Sequence, residues 1–193
     1  MPLDILAHTP PCAANPATPV HNQLIADMLY ENLVWKTLQR ECLGNGELPL
    51  WNPYNFCGHP MYATGQASTF YPLNLILIAI PLPYGYVVFT WLHLLAGGIF
   101  TYLFFRRIGV SGFGASVGGV MFAMCMFFTL RLIWPMLLGS AIWLPLMLLW
   151  IDWMGSGPTG RWTRGLLGGT VLFAMPILSG FLEITFYAFV ACG

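Results

Sequence analysis

The chain has 193 residues, of which 58% are hydrophobic and only 7% are charged, and its formal net charge is zero. A soluble domain carries roughly 25% charged residues, so the composition excludes an ordinary soluble fold and predicts a protein embedded in lipid. The zero net charge gives no support for nucleic-acid binding.

The polar part of the chain comes first. Residues 1–72 are mildly acidic, and we expect them to lie outside the bilayer. Residues 1–21 are rich in Pro and Ala and are expected to be irregular. Asn22 suits a helix N-cap, and the apolar period that follows predicts an amphipathic helix to about Glu41.

The next stretch, "GELPLWNPYNFCGHP" at 46–60, is an aromatic loop. Its prolines exclude a helix, and its aromatic residues argue against a flexible linker. We therefore expect an ordered loop at the border of the apolar region. Cys42 and Cys57 could pair if this segment is extracytoplasmic, or they could remain two free thiols.

Residues 73–193 are predicted to form an all-α transmembrane bundle. The apolar run at 71–83 is too short for a bilayer core of about 30 Å, and it suits an interfacial or re-entrant helix. Four spans are predicted after it, at about 84–105, 112–130, 135–151 and 166–190. The second span is rich in small residues, so its neighbours should approach closely.

Five arginines orient this bundle. Arg106 and Arg107 flank one loop, Arg161 and Arg164 lie in another, and Arg131 lies alone. The positive-inside rule then places the paired sites in the cytoplasm, and residues 1–83 and the loop after Arg131 outside. Two readings of the chain's ends remain open: a fragment of a longer multispanning protein, or a complete small protein.

Two carboxylates stand out in the outer segment. Asp27 and Glu31 are four residues apart on the predicted helix, so they share one face. Such a face could carry a general base, a divalent cation or both, although two carboxylates alone make a weak cation site. The alternative is a solvated acidic face near a helix N-terminus.

Ionisable residues in the apolar part are rare. Glu183 falls within the fourth predicted span, where it either faces a cavity or partner or reaches the headgroups. Arg131, on the same side, could pair with Glu183 or hold a phosphate. His93 is interpreted as a hydrogen-bonded core residue, and His59 as a loop residue that is either solvated or lines a site.

The aromatic residues of the outer segment have two interpretations. Trp and Tyr favour headgroup depth, so they could anchor the segment at the interface. Flat rings also stack on sugars, so the same residues could form a sugar platform. The chain carries no phosphate-binding P-loop motif and no common hydrolase motif. The residues concerned include Trp35, Trp51, Tyr54, Phe56, Tyr62, Phe70 and Tyr71.

Two longer stretches carry a family resemblance. "ELPLWNPYNFCGHPMYATGQASTFYPLNLILIAIPLP" and "LHLLAGGIFTYLFFRRIGVS" resemble the YfhO-type family of bacterial membrane proteins, over about residues 22–190. Members show a G-E-x-P-L-W-N-P-Y-x-x-x-G-x-P loop, then F-Y-P-L-N, then a helix that ends in paired basic residues. They are similar to the GT-C class of membrane glycosyltransferases, which take sugar from a polyprenyl-phosphate donor on the outer leaflet.

The resemblance assigns roles residue by residue. It implies that Asp27 is the catalytic carboxylate of the family's first outer loop, where it would act as the general base, and that a transmembrane helix precedes it. Glu31 stands where the family has Gln, and Trp35-Lys36 matches its Trp-basic pair, whereas Val34 replaces a Pro. The family's G-H-P-Q corresponds to residues 180–183.

The implied function is sugar transfer from a polyprenyl-phosphate donor to a cell-envelope acceptor, at the outer face of the bacterial inner membrane. A basic group, Arg131 or Lys36, would steady the departing phosphate. The alternatives are a transporter or lipid-flipping partner that uses Glu183 and Arg131, and a fragment that is inactive alone. The implied donor, acceptor or lipid contacts are Glu31, Lys36, Trp51, Asn52, Tyr54, His59, Arg131 and Glu183.

Overall fold

A computed structural model describes residues 27–55, 57–156 and 162–193. The predicted irregular segment at 1–21, the N-cap at Asn22 and the loop residue Arg161 lie outside the described residues. Within the described part, three helices are long and apolar enough to cross a membrane. The prediction of a mainly helical protein is therefore confirmed, and the three helices indicate that the protein is embedded in a membrane. The three are Leu82–Arg107, Gly112–Leu130 and Pro135–Gly155.

The described elements follow the order of the predictions, with additional breaks. A π-helical turn at Met28–Asn32 leads into the first α-helix, and 3₁₀ turns lie at Met61–Thr64 and Pro72–Asn74. The α-helices are α1 (Leu33–Gly44), α2 (Leu75–Ala79), α3 (Leu82–Arg107), α4 (Gly112–Ala123), α5 (Met126–Leu130), α6 (Pro135–Ala141), α7 (Leu144–Gly155), α8 (Trp162–Ser179) and α9 (Leu182–Cys192). The strands are β1 (Trp51–Asn52) and β2 (His59–Pro60).

The described part of the aromatic loop, which excludes Phe56, forms a short β-hairpin. β1 and β2 pair antiparallel, with Trp51 opposite Pro60 and Asn52 opposite His59. The Asn52 side chain is fully buried and accepts a hydrogen bond from the backbone N–H of Tyr54 at 3.0 Å. The segment forms this Asx-type turn and not a helix, because the neighbouring prolines have no backbone N–H to donate to helical hydrogen bonds.

The second and third spans are each divided by a local break. α4 and α5 are separated at Cys125, whose backbone is extended. α6 and α7 are separated at Ile142–Trp143, just before Pro145, which lacks the N–H that a continuous helix would use. The small residues of α4 permit close packing on α3, as predicted: a Cβ added at Gly119 would lie 2.6 Å from the Gly98 carbonyl oxygen.

The two ends of the bundle are distinct. Arg107, at the end of α3, forms an ion pair with Asp152 and donates to the Ser156 hydroxyl at 2.8 Å, near the end of α7. The ends of α3 and α7 that precede the two arginine-containing loops therefore lie on one side. The loop at 131–134 lies at the opposite end, which we call the outer end. Which of the two ends faces the cytoplasm stays a prediction.

The predicted fourth span at 166–190 is not one helix. α8 and α9 form an antiparallel hairpin, in which the Thr185 hydroxyl donates to the Pro176 carbonyl at 2.9 Å. The rings of Phe173 and Phe189 face each other at 5.8 Å. The chain reverses at Gly180, whose φ of +90° is a left-handed conformation that ends α8. A hydropathy profile does not detect this turn, because the helices on both sides of it are apolar.

The outer segment is docked on that reversal. Ser68 Oγ donates to the Ser179 carbonyl at 2.6 Å, and Gly65 packs directly against Gly180. A core of buried apolar side chains, including Trp35 and Met61, joins α1 to the loop at 61–70. These contacts hold α1 at the outer end of the bundle, where the candidate site lies.

Candidate functional site

The predicted catalytic residue Asp27 contacts the outer end of the bundle. Its Oδ2 accepts a hydrogen bond from Trp134 Nε1 at 3.2 Å, across 107 residues of sequence. Trp134 lies in the turn that begins at Arg131, with its backbone N–H 3.0 Å from the Arg131 carbonyl. The fold thus brings Asp27 to the loop that contains Arg131. Sequence analysis missed Trp134, and its only sequence signal is its position before Pro135 at a span boundary.

Glu31 lies one helical turn after Asp27 and is exposed. Desolvation of its buried part and, secondarily, the charge of Asp27 raise the pKa of Glu31 above its usual value. No group of three His, Cys, Asp or Glu side chains comes together within the described residues. A divalent cation here would therefore depend on Asp27 and Glu31, and such a site stays a prediction.

Asn32 supports the turn that presents Asp27. It is fully buried, and its Nδ2 is 3.4 Å from the Asp27 carbonyl oxygen, at the long end of hydrogen-bonding distance. Its Oδ1 finds no hydrogen-bond partner among the residues that the structure describes. A buried amide oxygen without a hydrogen-bond partner lowers stability. Because polar residues are seldom buried in this way, nothing in the sequence marked Asn32 as a core position.

Lys36 is buried, contrary to its implied role as a phosphate contact. Only 1% of its surface is exposed, and its Nζ donates to the Ala67 carbonyl at 2.6 Å and to Gln39 Oε1 at 3.3 Å. Gln39 Nε2 donates to the same carbonyl at 2.9 Å. Lys36 therefore ties α1 to the loop, and it does not reach a ligand at the surface. Burial lowers the pKa of Lys36 to about 7.

This burial predicts a pH-dependent stability. Between the folded pKa of about 7 and the ordinary value of 10.5, the unfolded chain binds a proton that the folded chain does not. Stability should therefore rise with pH in that window, by at most about 1.4 kcal/mol per pH unit. Lys36→Met should remove this slope and be more stable than the wild type at pH 7. The measurement is unfolding of the purified protein in detergent at pH 7, 8 and 9.

The comparison of interest is the difference between wild type and Lys36→Met, since other groups that titrate in the unfolded chain cancel in it. Arg106→Gln serves as the control, because Arg106 is exposed and donates to the nearby Val110 carbonyl at 3.1 Å. Equal pH slopes in the wild type and Lys36→Met would contradict the prediction.

The predicted aromatic cluster divides into exposed and buried members. Trp51 and Tyr54 are 53% and 71% exposed, so their rings remain available at the surface. Tyr54 also lines a cavity of about 290 Å³ with the Thr37 and Glu41 side of α1. Trp35 is buried in the core of the outer segment. His59 is half-buried in β2, whereas Asn52 has a structural role in the turn described above.

A buried polar network joins the outer segment to the spans. His93 Nδ1 donates to the Phe89 carbonyl at 2.7 Å, which leaves Nε2 of the neutral ring to accept from the Tyr71 hydroxyl at 2.9 Å. The Tyr71 oxygen in turn accepts from Trp143 Nε1 at 3.2 Å. Burial raises the pKa of Tyr71 well above its usual value, so the phenol stays protonated. The interpretation of His93 as a core residue is confirmed.

Arg131 and Glu183 both lie at the outer end, and both are exposed. The Arg131 guanidinium is 4.7 Å from the centroid of the Phe127 ring. Glu183 Oε1 accepts from the Tyr187 hydroxyl at 3.4 Å. Among the described residues no ion pair joins Arg131 to a carboxylate, so the direct Arg131–Glu183 pair considered from the sequence does not form.

Cys42 and Cys57 are free thiols in this structure, Cys42 partly buried and Cys57 exposed. The sequence left two possibilities open, a disulfide or two free thiols, and the structure has two free thiols.

Comparison with known proteins adds no identification: no family model, no curated protein and no solved structure matches the chain.

Proposed function

We propose that the chain acts in sugar transfer from a polyprenyl-phosphate donor to a cell-envelope acceptor, at the outer face of the bacterial inner membrane. Two kinds of support exist for this proposal. One is the resemblance of the aromatic loop and the following helix to the YfhO-type family. The other, which carries the proposal, is the hydrogen bond from Trp134 to Asp27, beside the loop of Arg131.

The proposed chemistry assigns one oxygen of Asp27 to each of two tasks. Oδ2 is held by Trp134 Nε1, which fixes the direction of the carboxylate. Oδ1 takes the proton from the acceptor hydroxyl as the acceptor oxygen bonds to the anomeric carbon. The bond from that carbon to the phosphate oxygen breaks in the same inverting step, and polyprenyl phosphate leaves with the electron pair.

The surrounding residues would serve the two substrates. Arg131 is exposed and free of a carboxylate partner among the described residues, which suits a contact to the departing phosphate. We do not assign this phosphate contact to Lys36, because its side chain is buried. The exposed rings of Trp51 and Tyr54 offer flat surfaces for stacking on a glycan. The aromatic loop at 46–60 has one formally charged residue, Glu47, and this low charge favours the approach of a lipid-linked donor from the bilayer.

The sidedness of Asp27 is the first test. In a version without the five native cysteines, we expect Asp27→Cys and Glu47→Cys to react with a membrane-impermeant maleimide added to intact cells. Glu47 is exposed in the same segment, so it reports sidedness even if position 27 reacts slowly. Ser156→Cys, at the opposite end, should react only after permeabilisation. Labelling of positions 27 and 47 only from the cytosolic side would overturn the proposal.

A further inference from the structure

An apolar groove of about 350 Å³ lies beside the outer end of the bundle, between α5 and α9. Its walls include Phe127 on α5, Leu144 at the start of α7, and Ile184 and Tyr187 on α9. The lining of this groove is mainly apolar, so a hydrocarbon chain matches it. The groove belongs neither to the Asp27 contact nor to the aromatic hairpin.

Two opposite charges flank the groove at the same end. Arg131 lies one helical turn beyond Phe127, with its guanidinium over that ring. Glu183 lies one helical turn before Tyr187 and accepts from its hydroxyl. Arg131 and Glu183 lie at the same end of the bundle. Ser179, just before α9, donates to the carbonyl of Met136 at 2.9 Å, and this bond holds the start of α9 beside the start of α6 at the outer end.

Neither charge is neutralised by the described protein. Both side chains are exposed, and no ion pair connects either of them to another described residue. Exposed charges at the end of an apolar bundle are well placed to pair with lipid headgroups of opposite charge. A headgroup that carries a phosphate and an ammonium complements this pair, with the phosphate at Arg131 and the ammonium at Glu183.

We propose that this groove binds a zwitterionic phospholipid with a primary ammonium, with its headgroup between Arg131 and Glu183 and one acyl chain against Phe127 and Tyr187. The experiment uses phosphatidylethanolamine, whose headgroup carries both a phosphate and a primary ammonium. Phosphatidylglycerol would satisfy Arg131 through the same phosphate, but its neutral glycerol offers no cation to Glu183. The proposal does not require sugar transfer. It does imply that a donor phosphate and the resident lipid compete for Arg131.

The test is native mass spectrometry of the purified chain in detergent, titrated separately with phosphatidylethanolamine, phosphatidylcholine and phosphatidylglycerol of the same acyl chains. We expect phosphatidylethanolamine to bind at least about fivefold more tightly than either of the others. Glu183→Gln should abolish this preference, while Arg131→Gln should weaken all three phospholipids. Ile184→Trp should weaken all three as well, because it fills the space for the chain.

Arg106→Gln is the matched control, since it removes an exposed arginine at the opposite end and should leave lipid binding unchanged. Equal or tighter binding of phosphatidylglycerol would overturn the proposal, as would a preference that survives Glu183→Gln. If polyprenyl phosphate bound more tightly than phosphatidylethanolamine and Ile184→Trp weakened that binding, the proposal would also be overturned, because the groove would then hold the donor. Each of these results is independent of whether sugar transfer is observed.

Discussion

Asp27→Asn is expected to lower the rate of sugar transfer by about 10²–10⁴-fold, the usual contribution of a positioned general base. The amide keeps the size of the side chain and can still accept from Trp134 through its oxygen, but it cannot take the acceptor's proton. The measurement is movement of radiolabelled hexose from polyprenyl phosphate to envelope material in membrane vesicles that contain the protein.

Two further variants make this result specific. Glu47→Gln removes an exposed carboxylate from the same outer segment and should leave transfer unchanged. Trp134→Phe keeps the ring but removes the N–H that holds Asp27, and a loss of about tenfold is expected from one hydrogen bond to a charged group. This loss should be in kcat, because Trp134 positions the base.

The rival function predicts a different pattern. A transporter or lipid-flipping partner that works through Arg131 and Glu183 needs no outer base, so Asp27→Asn would leave lipid translocation intact. Full transfer activity in Asp27→Asn would contradict the glycosyltransferase proposal. Absence of transfer in the wild type, together with translocation lost in Glu183→Gln, would favour the rival.

Gly180→Ala is expected to have the largest effect on stability, about 3 kcal/mol or more. Its φ of +90° is costly for any residue with a Cβ, by roughly 1–2 kcal/mol. The added Cβ would also overlap the carbonyl oxygen of Gly65. A backbone atom cannot move aside as a side chain does, so the outer segment would have to lift from the α8–α9 turn. The measurement is the unfolding midpoint of the purified protein in detergent.

Gly109→Ala separates the two causes. Its φ of +91° is nearly the same, but an added Cβ would have no neighbour within 4 Å. This variant should show only the conformational cost of roughly 1–2 kcal/mol. If Gly180→Ala and Gly109→Ala were equally destabilised, the contact between Gly65 and Gly180 would contribute nothing to docking of the outer segment.

The spans were predictable because hydrophobic length is a local property. The α3 helix at Leu82–Arg107 begins and ends within two residues of the predicted 84–105. The reversal at Gly180 was not predictable in the same way, since the segments on both sides are apolar and a hydropathy window averages over one glycine. What divides the predicted span is its packing against α6 and the outer segment, which sequence periodicity does not report.

The candidate site was predictable only in part. The spacing of Asp27 and Glu31 places both on one helical face, and the turn at Met28–Asn32 preserves that relation. The burial of Lys36 and Gln39 runs against their polarity, because each finds its partners in the loop about 30 residues away. Long-range hydrogen bonds of this kind leave no periodic signal.

The amino-acid sequence by itself determined three apolar segments that are long enough to cross a membrane, because seven acidic and seven basic residues in 193 leave long stretches without charge. It also predicted a polar segment, before the apolar part of the chain, with a helix and an aromatic loop. Only the tertiary structure decided that Asp27 meets Trp134, that Lys36 is internal, and that Arg131 and Glu183 flank one groove. These relations join residues distant in sequence, and they depend on how the helices pack around Gly180.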